Sequence, residues 1–141
     1  MNETNSKKQH VTLLRRIGAI LYDTVLLITV LVFASLFAVV LFKITPQHPY
    51  FLIYQIYIFS ICFIFFAWPW IQGGQTLGMK TWNIKLVHNK HKKLSRTDAL
   101  IRFLFAIISW LALGLGFIWA LFDKERRTWH DMASNTKLVR S

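Results

Sequence analysis

Residues 17–42 read IGAILYDTVLLITVLVFASLFAVVLF, 26 residues with a single charge, Asp23. At about 1.5 Å per residue a helix of this length rises about 39 Å, enough to cross a hydrocarbon core of about 30 Å with some tilt. The run is far longer than the apolar core of a signal peptide, and no small-residue cleavage site closes it, so it reads as a retained span. Lys43 and the prolines of KITPQHP (43–49) end it. So short a connector sets the next apolar run antiparallel to the first.

That next run is Tyr50–Ile71, with Tyr50, Tyr54 and Tyr57 near one end and Trp68 and Trp70 near the other. These are the aromatic belts of two membrane interfaces. Pro69 falls in the last turn, where a helix is ending anyway. A third run, Ala99–Phe122, contains Arg102 and is interrupted by Gly114 and Gly116. Around the three runs lie a basic N-terminal arm (1–14), a polar loop (72–98) and a polar tail (123–141).

Over 141 residues, 55% are apolar, and 17 Lys+Arg stand against 6 Asp+Glu. Twelve Phe and six Trp exclude a disordered chain. A soluble domain of this size has too little interior for so much apolar residue. The cations cluster outside the apolar runs: four in residues 1–16, six in 72–98 and five in 123–141. Charge beside spans points to topology and to anionic lipid, each residue contributing about 1 kcal/mol near the surface, rather than to nucleic acid. Cys62 is the single cysteine, so no internal disulfide is expected.

The expected fold is an all-α integral membrane protein with two transmembrane helices and a third apolar segment. The alternation of Trp82, Ile84 and Leu86 with Asn83, Lys85 and Val87 adds a short strand. A turn at 89–93 then predicts a small β-hairpin within the cytoplasmic loop, and Ser95 or Thr97 caps the helix that follows. The positive-inside rule puts the arm, the loop and the tail in the cytoplasm. Three complete spans would leave the tail outside. The third run is therefore either a straight span, which its length favours, or a re-entrant hairpin of two half-helices meeting at Leu113–Gly116, which the charge favours.

Asp23 is the most informative residue. A carboxylate within a span costs at least ~2.5–3.5 kcal/mol, so it needs a partner, water or a proton. Arg16 lies on the same helical face, about 10 Å away along the axis. Arg102 enters the third run at a similar depth, and an Asp23–Arg102 pair is the expected contact. In the tail, Arg127 and Asp131 stand at i,i+4 spacing; Asp131 has an alternative partner in Arg16. The segment GGQTLGMKT (73–81) resembles a phosphate loop, but Met79 interrupts the pattern and no preceding strand is evident, so it reads as a flexible exit from the second span. His88, His91 and His130 read as solvated loop residues and fall short of a metal site. No nucleophile and base stand in register, so no catalytic residue, cofactor or enzyme activity is expected.

Taken together, these pieces resemble the RDD family of membrane proteins. Arg16-Ile-Gly-Ala-Ile-Leu-Tyr-Asp23 is similar to the family's opening. Gly74-Gln-Thr-Leu-Gly78-Met-Lys80 resembles its glycine segment, and Leu100-Ile-Arg102 the start of its third run. Asp123 through Arg126-Arg127-Thr-Trp-His130-Asp131 to Thr136 resembles its close. The resemblance extends over residues 13–140, making 15–140 an RDD-like membrane domain, with Arg16, Asp23 and Asp131 at the three naming positions. Where the family's loop is expected to turn on Asp-Gly, this chain has Asn-Lys-His-Lys (89–92), which makes the loop more basic. The resemblance implies a multi-pass protein of the bacterial cytoplasmic membrane, N-terminus inside, and no one activity.

Two functions follow from the candidate residues Arg16, Asp23, Arg102 and Asp131, with Asp123, Arg127, Gly74 and Gly78 secondary. One is a small transporter, or a subunit of one, for protons, cations or a small solute, using Asp23. The alternative is a non-transporting scaffold or assembly factor in which the Arg and Asp residues are structural ion pairs. Two or three spans enclose no polar path alone, so the expected partners are anionic lipid and either further copies of the chain or another membrane protein.

Overall fold

In the computed structural model, residues 11–90 and 92–141 are described. Helix α1 runs Leu13–Phe42 and ends on Lys43 in the left-handed conformation. A tight turn, with the His48 amide donating to Thr45 O (2.9 Å) and the Phe51 amide to His48 O (3.0 Å), leads into α2, Phe51–Gly73. Both are long and apolar enough to cross a membrane. Their outward faces carry exposed Val25, Phe33, Phe37, Leu52, Ile56 and Phe59, the surface a bilayer covers. In the seam, Ser35 Oγ and Tyr54 OH share a hydrogen bond of 2.5 Å.

The antiparallel pairing sets the depth of everything else. Counting back from Phe42 by as many residues as α2 holds reaches Ile20, a rise of about 33 Å at about 1.5 Å per residue. Asp23 thus lies about one turn inside the level at which α2 finishes, and Arg16 lies beyond that level. The first turns of α1 extend past the end of α2. They belong to a small folded unit at that end of the hairpin.

That unit comprises α3 (Leu77–Thr81), β1 (Ile84–His88), α4 (Arg96–Leu111), α5 (Leu115–Ile118), a 3-10 turn (Trp119–Leu121), α6 (Trp129–Ala133) and β2 (Thr136–Arg140). Its core joins Ala67 and Trp70 of α2 to Leu86, Leu94, Ala99 and Phe103. A second cluster joins Val11 and Ala19 to Ile84. Ser95 caps α4 in a reciprocal box with Asp98, as its position before the third apolar run predicts.

Two expectations need correction. The strand in the loop exists, but its partner is not the segment across the 89–93 turn. β1 pairs antiparallel with β2 of the tail, Leu86 opposite Leu138 and His88 opposite Thr136. Ile84 and Leu86 are buried on the face they present to the core, and Leu138 extends that face. The segment after the 89–93 turn instead brings Leu94 into the core and Ser95 to the start of α4. Of the basic arm assigned to residues 1–14, residues 1–10 lie outside the described residues; Val11 is buried and Leu13 already opens α1.

The third apolar run is broken rather than straight. α4 and the α5–3-10 segment meet at 107°. Leu113 (φ 58°) and Gly114 (φ 78°) both take left-handed conformations at the break. Gly116 lies against α4 so closely that a Cβ there would be 1.9 Å from Ser109 Oγ. The bend's tip is apolar, with Leu113 92% exposed and Leu111 and Phe122 nearly as free. The run is thus a bent pair of helices, a broken span or a re-entrant loop, and not one straight helix.

Candidate functional site

Asp131 sits at the centre of the folded end, 0% exposed. Thr128 caps α6, and Asp131 is the third residue of that turn. The Asp131 amide donates to Thr128 Oγ1 (3.4 Å), and Asp131 Oδ2 accepts from the Thr128 amide (3.1 Å). A carboxylate is favoured there by the exposed amides of a helix start. Asp131 Oδ1 accepts from Arg102 Nη1 of α4, which also donates to Thr136 Oγ1 of β2 (3.0 Å). Arg16 Nη1 of α1 approaches Asp131 Oδ2 to 3.8 Å, an ion pair too long for a hydrogen bond. The Arg102 guanidinium lies 5.0 Å from the centre of the Trp70 ring of α2, a cation–π contact. One carboxylate therefore links α1, α4 and α6, and through Arg102 also β2.

Burial alone would push the Asp131 carboxyl up. The Arg102 charge and its hydrogen bond, with the Thr128 amide, outweigh burial and hold it well below the ordinary carboxylate range. Next to it, His130 is pushed down to about 3 by burial and then by the Arg102 charge, so it is neutral at physiological pH. His130 is thus a core residue, not the solvated one its place in a charged tail suggested. Its neighbour Ser134 closes the turn, donating to His130 O at 2.6 Å.

Asp23 is held quite differently. Its Oδ2 accepts from Thr76 Oγ1 (2.5 Å) and its Oδ1 from the Gly78 amide (2.8 Å). Thr76 Oγ1 in turn accepts from the Met79 amide (3.2 Å), capping α3. Gly78 packs against α1 so tightly that a Cβ would stand 2.4 Å from Ala19 O. Gly74, at φ 69°, turns the chain out of α2 and accepts from the Leu86 amide at 2.7 Å. Residues 73–81 are therefore an ordered docking turn against α1, not a flexible exit.

The expected Asp23–Arg102 pair does not form. Arg102 turns toward α6 and β2, where Asp131 and Thr136 supply its acceptors, while Asp23 faces the loop after α2. The Arg16–Asp131 alternative does form. Nor does Arg127 pair with Asp131. Arg127 reaches back to Asp123, donating from its amide (2.8 Å) and Nε (3.2 Å) to Oδ2, with Glu125 Oε2 at 3.5 Å. The Arg127 amide, then its side chain, draws the Asp123 carboxyl below its usual range. Asp123 and Arg127 lie at the half-exposed rim, away from the buried cluster. Sequence reasoning missed Thr76, Trp70, His130 and Thr136. Of these only Thr76 carried a local signal, a hydroxyl three residues before a free amide.

Between α1, α2, α4 and α5 lies a cavity of about 520 Å3, lined by Arg16, Asp23, Trp70, Arg102, Phe117 and His130 among apolar side chains. Among the described residues, no group of three or more His, Cys, Asp and Glu side chains is gathered to hold a metal ion.

A family model described as the RDD family matches residues 11–135. That is nearly the whole chain, and the chain belongs to the RDD family. No curated protein and no solved structure matches it.

Proposed function

From RDD membership together with the cavity, we propose that this membrane protein is a small transporter, or a subunit of one, for protons, cations or a small solute. Asp23 is its ion-binding group, and it binds and moves its substrate without converting it chemically. One observation carries the reading. Asp23 lines the cavity and is held only by neutral donors, a hydroxyl and an amide, with no Lys, Arg or His among the described residues in ion-pair contact. A carboxylate without a fixed counter-charge can exchange a proton or a cation; one clamped between arginines cannot. The two long helices leave wide apolar faces, which supports an assembly with further copies or another membrane protein. The setting proposed is the bacterial cytoplasmic membrane, with the basic N-terminal side facing the cytoplasm.

The test is ion flux in proteoliposomes, wild type beside Asp23→Asn, under imposed Na+, K+ and pH gradients with a pH-sensitive dye. Flux in the wild type, lost in a variant that remains folded, is the expected result. A silent wild type with a destabilised variant would overturn it. That outcome favours the second reading, a non-transporting scaffold, which the Thr76 and Gly78 hydrogen bonds support by giving Asp23 a purely structural task.

A further inference from the structure

The cavity floor is short of acceptors. Among the described residues, Arg16 Nε and Nη1, Arg102 Nε, Trp70 Nε1 and His130 Nδ1 are buried without a hydrogen-bond partner. Arg16 and Arg102 are each more than nine-tenths buried and both line the cavity. They share one carboxylate, Asp131, and His130 beside them is neutral. The Arg16–Arg102–Asp131 cluster therefore carries a net positive charge. The oxygens of Asp23, the other charged group on the cavity wall, are already engaged by Thr76 and Gly78. A buried guanidinium with unmet donors is costly, so the natural occupant brings anionic oxygens.

The rest of the wall is apolar: Ile17, Ile20, Leu27, Ile107 and Ile118, with Phe117, line it. Ile17, Ile20 and Ile118 are also exposed on the outer surface, so the cavity borders the lipid-facing side. The floor lies at the level where α2, a helix long enough to cross a membrane, ends, and an end of a span is where headgroups are expected. About 520 Å3 is within the ordinary range for a small-molecule site, about 300–1,000 Å3.

We infer that this cavity binds an anionic membrane amphiphile, with its phosphate or carboxylate on Arg16 and Arg102 and an acyl chain along the apolar wall between α1 and α4. The binding is distinct from contact between surface lysines and the bilayer, because its cations are buried. It does not depend on the transport reading.

Full-length protein in maltoside micelles is titrated with lysophosphatidylglycerol and followed by native mass spectrometry, with lysophosphatidylcholine and inorganic phosphate in parallel arms. A 1:1 adduct with the anionic lipid is expected, weakened about ten- to a hundredfold in Arg16→Gln, the loss of one charge-assisted hydrogen bond. Ala106→Phe leaves every ion pair in place and fills the apolar part of the cavity, and it is expected to weaken the adduct comparably. Equal binding of the anionic and zwitterionic lipids would overturn the headgroup assignment. Unchanged binding in Ala106→Phe would overturn the placement of the acyl chain. Phosphate alone competing as strongly as the lipid would show an anion pocket without a tail, which also overturns the proposal. If Arg16→Gln fails to fold, Ala106→Phe and the two lipid arms decide.

Discussion

Asp23 and Asp131 are two buried carboxylates at the same end of one small protein, and they are held by opposite means. Asp131 faces two arginines and joins three elements, and a fourth through Arg102. Asp23 faces a hydroxyl and an amide and joins two, α1 and the start of α3. The difference lies in what each side chain leaves behind when removed. Taking away Asp131 strands two buried cations. Taking away Asp23 strands one hydroxyl and one amide, whose desolvation is far cheaper. The first carboxylate is committed to holding the fold. The second is held by neutral donors alone, with no arginine beside it to fix its charge.

The largest expected effect follows directly. Asp131→Asn should lower stability by about 3–5 kcal/mol, the range for a buried pair that loses one partner. Thermal unfolding in detergent measures it. A loss no larger than that of Asp23→Asn would erase the contrast between the two sites.

Next is the acid limb. His130 is neutral in the fold and titrates near 3, against an ordinary value of about 6.5 when unfolded. The unfolded chain therefore binds the extra proton between these values, and stability falls as pH drops from about 6.5 toward 3. Asp131 has the same sense but a lower window. Its folded value is depressed, so its contribution is present above the ordinary carboxylate range and is lost only as pH falls through the folded value. His130→Gln should flatten the upper part of the limb, by on the order of a few kcal/mol. Parallel curves for variant and wild type would mean that His130 is charged in the fold and belongs to the cation cluster.

Gly78→Ala sharpens the Asp23 side. Its new methyl would meet Ala19 O at 2.4 Å, so the turn must lift off α1, with about 1–3 kcal/mol lost to overpacking. Asp23→Asn keeps an acceptor for the Gly78 amide but gives up the charged one, and about 1 kcal/mol is expected. If transport runs through Asp23, flux disappears in this second variant while most of the stability remains. A stability loss equal to that of Asp131→Asn would make Asp23 a clamp as well.

What was legible in the sequence follows the same division. The two spans and the cap at Ser95 stand on local patterns of hydrophobicity and hydroxyl placement, and the break at Leu113–Gly116 stands on glycine and charge. Arg16–Asp131 was legible as an option because opposite charges seek each other wherever the chain brings them. The partners of Asp23 were not, since a threonine hydroxyl and a backbone amide leave no charge signature. Residues 73–81 drew attention as a faulty phosphate loop, when Gly78 is small in order to touch α1. The β1–β2 pairing joins segments about fifty residues apart, and nothing local to either strand announces the other. The burial of His130 depends on the same long-range closure, which turns a polar tail into part of the core.

A third carboxylate, paired with arginine at the rim, completes the scale. Asp123 and Arg127 make the same chemical contact as Asp131 and Arg102, and with shorter sequence separation. Arg127 is, however, 31% exposed, so water competes for both charges and salt screens them. Arg127→Gln should therefore cost no more than about 0.2–1 kcal/mol, and the loss should shrink further at high salt. The Asp131 cluster, sealed from solvent, should respond to salt hardly at all. Thermal unfolding of Arg127→Gln and Asp131→Asn at low and high ionic strength separates the two. If both losses shrink equally with salt, the Asp131 cluster is open to water, and burial is not what sets it apart from the rim.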